Sequence, residues 1–280
     1  MSVGNRSNPV VVITGAARGI GAATARLLAG QGARVAIADI DGGPAEALAN
    51  ELGADCRGYQ LDVSDRLAFN AFIDRVETDL GPIDVMINNA GIAMTAPQVT
   101  DQEIQVIERT IDVNLKGVIY GTLAAVEKMK PRGRGAVINV ASLAGVLGVA
   151  GLAAYSASKF GVVGFTEGIR AEQEDSGISF TVVMPGPVET DMMVGTRSAP
   201  LVRLVKPEVL AAAIAGAIET GKPRVSVPRS TGGYVRLMSI LPPKVAIRMN
   251  KLIGMDRVYT EIDHSARTEY SERIKGGIDQ

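Results

Sequence analysis

A tyrosine and a lysine stand four residues apart in the segment Tyr155-Ser156-Ala157-Ser158-Lys159. On a helix, side chains at i and i+4 share one face. A free phenol titrates near pH ~10, too high for a base at neutral pH, but a nearby ammonium favours the phenolate and lowers the pKa. Such a tyrosine can take the proton of an alcohol or donate one to a ketone. Ser142, in the loop after an apolar run, could hydrogen-bond the substrate oxygen and stabilise its developing charge.

A glycine-rich turn near the N-terminus has the properties of a phosphate-binding loop. Gly15, Gly19 and Gly21 follow the apolar run Val10–Ile13 and open a helical pattern. Glycine permits positive φ and has no Cβ to block a pyrophosphate, and the helix N-terminus offers free N–H groups and a positive dipole end. The strand before and the helix after favour a dinucleotide site over an ordinary βα turn.

Two charged residues bear on the choice of dinucleotide. Asp39 lies 20 residues after Gly19, at the end of the second apolar run. A carboxylate there can accept hydrogen bonds from the adenosine ribose and would repel a 2′-phosphate, which favours NAD. Arg18 favours NADP, because a guanidinium can pair with that phosphate. Asp39 should lie closer to the ribose, so we expect NAD, with NADP as the weaker alternative; Asp39 could also be a solvated turn residue.

Short apolar runs alternate with helical patterns over most of the first 230 residues. This alternation predicts a three-layer α/β fold of Rossmann type, a doubly wound parallel sheet over residues 1–230. Ser64 is the predicted N-cap of the third helix, and Thr100-x-x-Glu103 a capping box before the fourth. The predicted strands are Val10–Ile13, Arg34–Ala38, Gly58–Leu61, Ile83–Asn88, Ala136–Val140, Ile178–Val183 and Arg224–Val227.

Composition excludes several other classes of function. The 280 residues carry 29 Lys+Arg and 30 Asp+Glu, a formal charge of −1 that does not favour nucleic-acid binding. One cysteine (Cys56) and one histidine (His264) predict no internal disulfide, no histidine-based triad and no metal site. The N-terminal apolar run is too short for a secretory signal, so we expect a cytoplasmic protein. The uncharged stretch 135–158 contains four glycines and is interpreted as strand, loop and helix rather than a membrane span.

Residues 231–280 depart from the alternating pattern and form a C-terminal extension. Its segment 237–253 mixes apolar side chains with Lys244, Arg248 and Lys251. Such a segment could lie on an anionic membrane surface, cover the active site as a lid, or contact a neighbouring subunit. Apolar residues near the predicted site indicate a lipophilic substrate, although they could equally be core packing. These residues are Leu143, Val146, Leu147, Leu152, Met192, Met193 and Val194.

Taken in order, these motifs resemble the short-chain dehydrogenase/reductase family in its single-domain form, over roughly residues 8–230. The resemblance rests on the glycine turn and the Tyr155/Lys159 pair, and on four further motifs. These are Asp62-Val63, Asn88-Asn89-Ala90-Gly91, Asn114 within Asp-Val-Asn-Leu-Lys-Gly, and Pro185-Gly186-Pro187-Val188-Glu189-Thr190.

The resemblance implies a role for each matching residue. Tyr155 would be the general acid/base, and Lys159 would hold the nicotinamide ribose and lower the Tyr155 pKa. Ser142 would position the substrate carbonyl, and Asn114 would hold a water that relays protons to Lys159, or only tie helix to strand. Asp62 and Val63 would contact adenine. The implied cofactor residues are Gly15, Arg18, Gly19, Ile20, Gly21, Asp39, Asp62, Val63, Asn89, Ala90, Gly91, Val113, Tyr155, Lys159, Pro185, Val188 and Thr190.

By the same resemblance we expect a homodimer or homotetramer built on two central helices, 113–130 and 155–175. Small and apolar residues would form the contact: Gly117, Gly121, Ala124, Ala125, Phe160, Val163 and Ile169.

The predicted function is hydride transfer between NAD and a lipophilic secondary alcohol or ketone. Two alternatives stay open at this point. One is an NADP-linked reductase of carrier-bound 3-ketoacyl groups, and the other is a non-catalytic nucleotide-binding sensor.

Overall fold

Seven parallel strands form one sheet in the order β3-β2-β1-β4-β5-β6-β7. The computed structural model describes residues 8–196 and 204–228, and then 233, 237–238, 240–252, 254, 257–263 and 265–276. The predicted Rossmann-type parallel sheet is therefore confirmed. The strands are β1 Val10–Thr14, β2 Arg34–Asp39, β3 Cys56–Gln60, β4 Ile83–Asn88, β5 Gly135–Val140, β6 Ile178–Pro185 and β7 Arg224–Val227.

Helices cover both faces of the sheet. One face packs against α1, α2 and α7, and the other against α3, α5 and α6. Side chains alternate between the two faces along a strand, so β1 contributes to both hydrophobic cores. Val11 and Ile13 pack in the core beside α1, α2 and α7, and Val10 and Val12 pack in the core on the other face. The helices are α1 Gly19–Gly30, α2 Gly42–Leu52, α3 Arg66–Leu80, α4 Ile104–Ile111, α5 Gly117–Met129, α6 Ala153–Glu172, α7 Pro207–Thr220, α8 Pro243–Leu252 and α9 Thr268–Gly276.

The strand order reverses between β1 and β4. Strand β2 pairs with one side of β1, and β4 pairs with the other side. In an open α/β sheet, this reversal leaves a crevice at the carboxyl ends of the strands. The turns after β1, β2 and β4 thereby meet at one edge.

Two predicted helix caps are wrong. The cap of α3 is Asp65, whose carboxylate accepts hydrogen bonds from the N–H groups of Leu67 and Ala68. Ser64 cannot serve, because its hydroxyl donates to Asp62 and accepts from Arg109. Before α4, Thr100 belongs to a separate 3₁₀ turn, and Glu103 is the N-cap without a side-chain capping hydrogen bond, so the predicted capping box does not form.

The C-terminal extension contains two helices in its described part. The predicted boundary at residues 230 and 231 lies outside the described residues, as does His264. Helix α8 exposes much of its apolar surface, with Leu252 at 87% and Ile247 at 55% exposure. Helix α9 instead packs on the body of the protein and buries Tyr270 and Ile274. No helix in the described ranges is long and apolar enough to cross a membrane.

Candidate active site

A cavity of about 410 Å³ opens at the carboxyl ends of β1, β2 and β4. Its volume lies within the range of small-molecule and cofactor pockets. The C-terminal extension supplies part of one wall. Twelve of the predicted cofactor residues line it: Gly15, Arg18, Gly19, Ile20, Asp39, Asp62, Val63, Asn89, Ala90, Gly91, Val113 and Thr190.

The glycine turn has the shape that a dinucleotide phosphate requires. Gly15 and Gly19 have φ of 61° and 55°, in the left-handed region that favours glycine. A Cβ at Gly15 would lie 2.7 Å from the Ala90 Cα, and a Cβ at Gly21 would overlap the Gly15 carbonyl oxygen. Helix α1 begins at Gly19 with no acidic residue in its first turn. The turn is therefore open to an anion and presents free N–H groups to it.

Asp39 lies at the tip of β2 and lines the cavity. Its carboxylate accepts hydrogen bonds from the N–H groups of Ala17 (2.9 Å) and Asp41 (3.2 Å), which fix its orientation. Arg18 is engaged elsewhere, because its guanidinium pairs with the Asp41 carboxylate at 2.7 Å. Both residues that gave opposing indications about the cofactor line the cavity, but they differ in their partners: Asp39 accepts from backbone N–H groups, whereas Arg18 pairs with a carboxylate.

Arg109 joins the predicted Asp62 at the far end of the cavity, and sequence reasoning did not identify it. Its guanidinium donates to the Asp62 carboxylate at 2.9 Å and to the Ser64 hydroxyl at 2.6 Å. Partial burial would raise the pKa of Asp62, but hydrogen bonds from Ser64 and Arg109 lower it on balance. The carboxylate is therefore held ionised in the cavity wall.

Asn114 lies in a π-helical turn, Asp112–Lys116, that joins α4 to α5. Turns of this kind often occur at functional sites. The Asn114 side chain exchanges two hydrogen bonds with the backbone of Ile92, both 2.8 Å, and donates to the Ser158 hydroxyl at 3.1 Å. It therefore ties this turn to the loop after β4 and to α6.

Lys159 lies beside Asn114 at the end of the cavity. Its ammonium group donates to the Val140 carbonyl oxygen at 3.0 Å, and the side chain is almost fully buried. Burial lowers the pKa of Lys159 to about 8. Gly91 separates it from the cavity, since a Cβ there would lie 3.4 Å from Lys159 Nζ and 3.3 Å from Asn114 Oδ1. The missing side chain leaves the ammonium within reach of a molecule in the cavity.

Tyr155 and Lys159 share one face of α6, with the Lys159 Nζ 5.7 Å from the centre of the phenol ring. The phenol is buried, and burial raises its pKa, although a hydrogen bond with the Ser142 side chain opposes the rise. In this closed arrangement the pKa of Tyr155 thus moves opposite to the sequence expectation. The reason is its apolar surroundings: Ala93, Ala144, Val149, Leu152, Met192 and Tyr259.

The apolar residues predicted around the substrate divide into two groups. Leu152 and Met192 belong to the cluster around Tyr155, and Met193 accepts a weak hydrogen bond from the Tyr259 hydroxyl at 3.6 Å. Leu143 and Val146 pack into a separate core cluster between α6 and β6. For these two residues the structure agrees with core packing, the alternative to a substrate contact.

The C-terminal extension closes over the loop after β6. Arg267 is buried and donates to three carbonyl oxygens, those of Ala93 (2.7 Å), Met192 (2.9 Å) and Val194 (3.2 Å). Tyr270 accepts from the Ala93 N–H at 3.0 Å. Arg273 pairs with Asp191 at 3.1 Å. Sequence reasoning missed all three, although their spacing, Arg-x-x-Tyr-x-x-Arg, places them near one face of a helix and could have identified them.

Five predicted cofactor residues are not among those lining the cavity: Gly21, Tyr155, Lys159, Pro185 and Val188. Gly21 packs beneath the glycine turn, and Pro185 ends β6. Val188 is buried in the core and forms a parallel bridge with Val205. Among the described residues, no group of three His, Cys, Asp or Glu side chains could hold a metal ion.

The geometry combines an anion-binding turn and a carboxylate at the tip of the second strand, both in the cavity wall, with a buried phenol–ammonium pair behind Gly91 of that wall. Such an arrangement can bind a dinucleotide and move a proton next to it.

Comparison with known proteins agrees with this geometry. Residues 9–200 match the family model of the short chain dehydrogenases. The chain is 38% identical to a cis-4-hydroxycyclohexanecarboxylate dehydrogenase of Sinomonas cyclohexanicum, over 74% of this chain and 87% of that protein. It is 37% identical to a 3-alpha-(or 20-beta)-hydroxysteroid dehydrogenase of Mycobacterium bovis, over 65% and 70%. It is 34% identical to the 3-oxoacyl-[acyl-carrier-protein] reductase FabG of Escherichia coli, over 67% and 77%.

Proposed function

Because the chain belongs to the short-chain dehydrogenase/reductase family, we propose that it interconverts a lipophilic secondary alcohol and its ketone, with NAD as cofactor and Tyr155 as general acid/base. Its membership makes it an oxidoreductase acting on CH–OH groups. The observation that carries the finer proposal is the position of Gly91: it lines the nucleotide cavity on one side and is next to Lys159 and Asn114 on the other.

NAD is the proposed cofactor, and it would supply hydride transfer when bound. The glycine turn would hold its phosphates, and Lys159 would hold the nicotinamide ribose. The Asp39 carboxylate would accept hydrogen bonds from the adenosine ribose. The engagement of Arg18 by Asp41 supports NAD over NADP, because the guanidinium that could pair with a 2′-phosphate already has a carboxylate partner.

Tyr155 would move the proton. A raised pKa keeps the phenol protonated, so in the reductive direction it can donate to the substrate oxygen while the Ser142 hydroxyl hydrogen-bonds the same atom. In the oxidative direction the phenol must first lose its proton. The Lys159 ammonium, charged below pH of about 8, favours that loss. Asn114 would hold the π-turn and α6 in the register that this pair needs.

A lipophilic secondary alcohol is the proposed substrate class. The cluster around Tyr155 is apolar, and Met192 and Leu152 in it are suited to a hydrocarbon surface. Two of the relatives described above are named for hydroxysteroids and for a hydroxycyclohexane acid, which supports an alcohol on an alicyclic ring. The FabG relative keeps a carrier-bound 3-ketoacyl group as the alternative substrate.

The test is NADH formation over a panel of alicyclic and long-chain secondary alcohols, with Tyr155→Phe as the matched variant. We expect turnover with at least one panel member, and a fall in kcat of roughly 100-fold or more for Tyr155→Phe, because general acid/base catalysis supplies about that factor. NADH affinity should stay the same, since the hydroxyl is removed without altering the nucleotide cavity. Full turnover by Tyr155→Phe would disprove the assigned role.

A homo-oligomer in the cytoplasm remains part of the proposal, on the same two helices but through fewer of the predicted residues. Six of the seven predicted contact residues are buried within the chain itself; Phe160 is exposed. Leu123 on α5 is also exposed, so these two side chains are the better contact points. Sedimentation analysis of Leu123→Glu and Phe160→Glu measures the oligomeric state.

Peripheral membrane contact through α8 is also proposed. From Lys222 to Lys251 the sequence has seven basic residues and no acidic one, and α8 exposes apolar side chains among them. This combination suits an anionic lipid surface. Co-sedimentation with vesicles that contain phosphatidylglycerol, against vesicles of phosphatidylcholine alone, measures it.

A further inference from the structure

We infer that the C-terminal extension supplies a cofactor-binding residue, Arg273, whose guanidinium pairs with the dinucleotide pyrophosphate. This inference rests on the proposed function, because it assumes that a dinucleotide occupies the cavity. It adds a ligand from a part of the chain that lies beyond the matched family region, residues 9–200.

The position of Arg273 is the first argument. Arg273, Tyr270 and Ile274 line the same cavity as Gly15 and Gly19. Thr190 lies close to the glycine turn, since a Cβ at Gly19 would be 3.2 Å from the Thr190 methyl group. Asp191, the next residue along, pairs with Arg273 at 3.1 Å. The guanidinium is therefore held beside the phosphate-binding turn.

The charges of the cavity are the second argument. A pyrophosphate carries two negative charges, and the cavity wall already contains Glu189 and Asp191. The other two arginines of the wall pair with carboxylates on the β2 and β3 side of the cavity, Arg18 with Asp41 and Arg109 with Asp62. The N-terminus of α1 supplies only a partial positive charge. An additional cation near the turn is needed, and Arg273 is in position to provide it.

The third argument is that Arg273 can exchange its partner at small cost. Its side chain is 26% exposed, whereas that of Asp191 is 56% exposed, so the released carboxylate would be solvated by water. Exposed ion pairs contribute little to stability. A guanidinium matches phosphate oxygens with two parallel N–H bonds, which are stronger. Phosphate should therefore displace Asp191.

The rest of the extension keeps Arg273 in place. Tyr270, one turn earlier on α9, accepts a hydrogen bond from the Ala93 N–H and lies 5.5 Å beneath the Arg273 guanidinium carbon. Arg267 holds the start of the helix to the loops after β4 and β6. The guanidinium thus belongs to a docked helix and not to a free tail.

Titration calorimetry with three probes, NADH, ADP-ribose and adenosine, tests the inference. ADP-ribose carries the pyrophosphate and adenosine does not. For Arg273→Ala we expect roughly tenfold to thirtyfold weaker binding of NADH and of ADP-ribose, the loss typical of one charge-assisted bidentate pair, and unchanged binding of adenosine. Arg273→Lys should lie between, since lysine keeps the charge without the fork. Higher salt should reduce the difference between the variants.

Two further variants show whether Arg273 binds the dinucleotide or only holds the extension in place. Asp191→Asn removes the ion pair but leaves the guanidinium, so it should bind ADP-ribose at least as tightly as the wild type. Arg257→Ala is the matched control, because Arg257 is an exposed arginine of the extension that pairs within its own turn, with Glu261. It should change no affinity.

Three results would overturn the inference: wild-type affinity of Arg273→Ala for ADP-ribose, an equal loss of adenosine binding, or an equal loss in Asp191→Asn. If the wild type binds NADH and only these variants disagree, the proposed function still stands. If the wild type binds no dinucleotide at all, the proposed function fails first and the inference with it.

Discussion

The adenosine end of the cleft is lined by residues at the tips of neighbouring strands, whereas the Tyr155 end is enclosed by loops and by the C-terminal extension. At the first end Gly15 and Asn89 directly follow β1 and β4, Asp39 ends β2, and hydrogen bonds between side chains and backbone hold them. At the second end, Tyr155 is covered by Met192 and Tyr259. The first end is open and polar, and the second is closed and apolar.

We interpret the open end as the part that binds the nucleotide and the closed end as the part that transfers the proton. The parallel sheet fixes the nucleotide end, because its strands cannot shift register without exposing both cores. The Tyr155 end depends on contacts between segments distant in the chain, such as Arg267 with Ala93. We therefore propose that opening and closing of the extension governs access to Tyr155, while the nucleotide turn stays preformed.

The largest effect is expected from Arg267→Ala, which tests whether contacts of the extension keep the Tyr155 end closed. The change removes the donor of one buried carbonyl oxygen, that of Ala93, and of two partly buried ones, those of Met192 and Val194, and such losses cost about 2–4 kcal/mol. We expect faster hydrogen exchange and proteolysis across residues 257–276, with no change in exchange at Ala17 and Asp41. Arg257→Ala is the matched control. Equal protection of the extension in Arg267→Ala and wild type would show that Arg267 does not hold it closed.

A smaller effect, confined to the nucleotide end, is expected from Asp39→Asn. Loss of the carboxylate charge removes a charge-assisted bond to the ribose and the repulsion of a 2′-phosphate. The ratio of NADP to NAD dissociation constants should therefore fall by roughly tenfold to 100-fold. Protection of the extension should not change. Asp55→Asn, an exposed carboxylate at the amino end of β3, is the control. An unaltered ratio in Asp39→Asn would remove the basis for proposing NAD.

The smallest effect concerns pH and the closed end. In the folded protein Lys159 loses its proton near pH 8, whereas in the unfolded chain it does so near pH ~10.5. Between these values the unfolded state binds more protons, so the free energy of unfolding should rise with pH, by about 1 kcal/mol from pH 7 to 9. Lys159→Met should lack this increment. Denaturant titrations of both proteins at the two pH values measure it, and parallel pH profiles would count against a fully buried ammonium.

The positions of individual residues show how far the sequence pattern could be followed. Asp62 and Val63 line the cavity at a position that a strand end and a motif specify locally, and their contact with adenine stays a prediction. The predicted caps of α3 and α4 were wrong. At α3, Ser64 is instead hydrogen-bonded to Asp62 and to Arg109, which lies 45 residues further along the chain. Six of the seven predicted oligomer contacts are buried within the chain for a related reason: small residues such as Gly117 and Gly121 serve close approach within the chain, against Val63 and Asn88.

The sequence by itself determined the parallel sheet, the nucleotide turn and the pairing of Tyr155 with Lys159, because each depends on neighbours within one strand, one turn or one helix. Only the tertiary structure decided that Arg18 pairs with Asp41, that Tyr155 is enclosed, and that Arg273 lines the same cavity as the turn after β1. Those properties depend on which distant segments pack together, and that is set by the burial of side chains over the whole molecule.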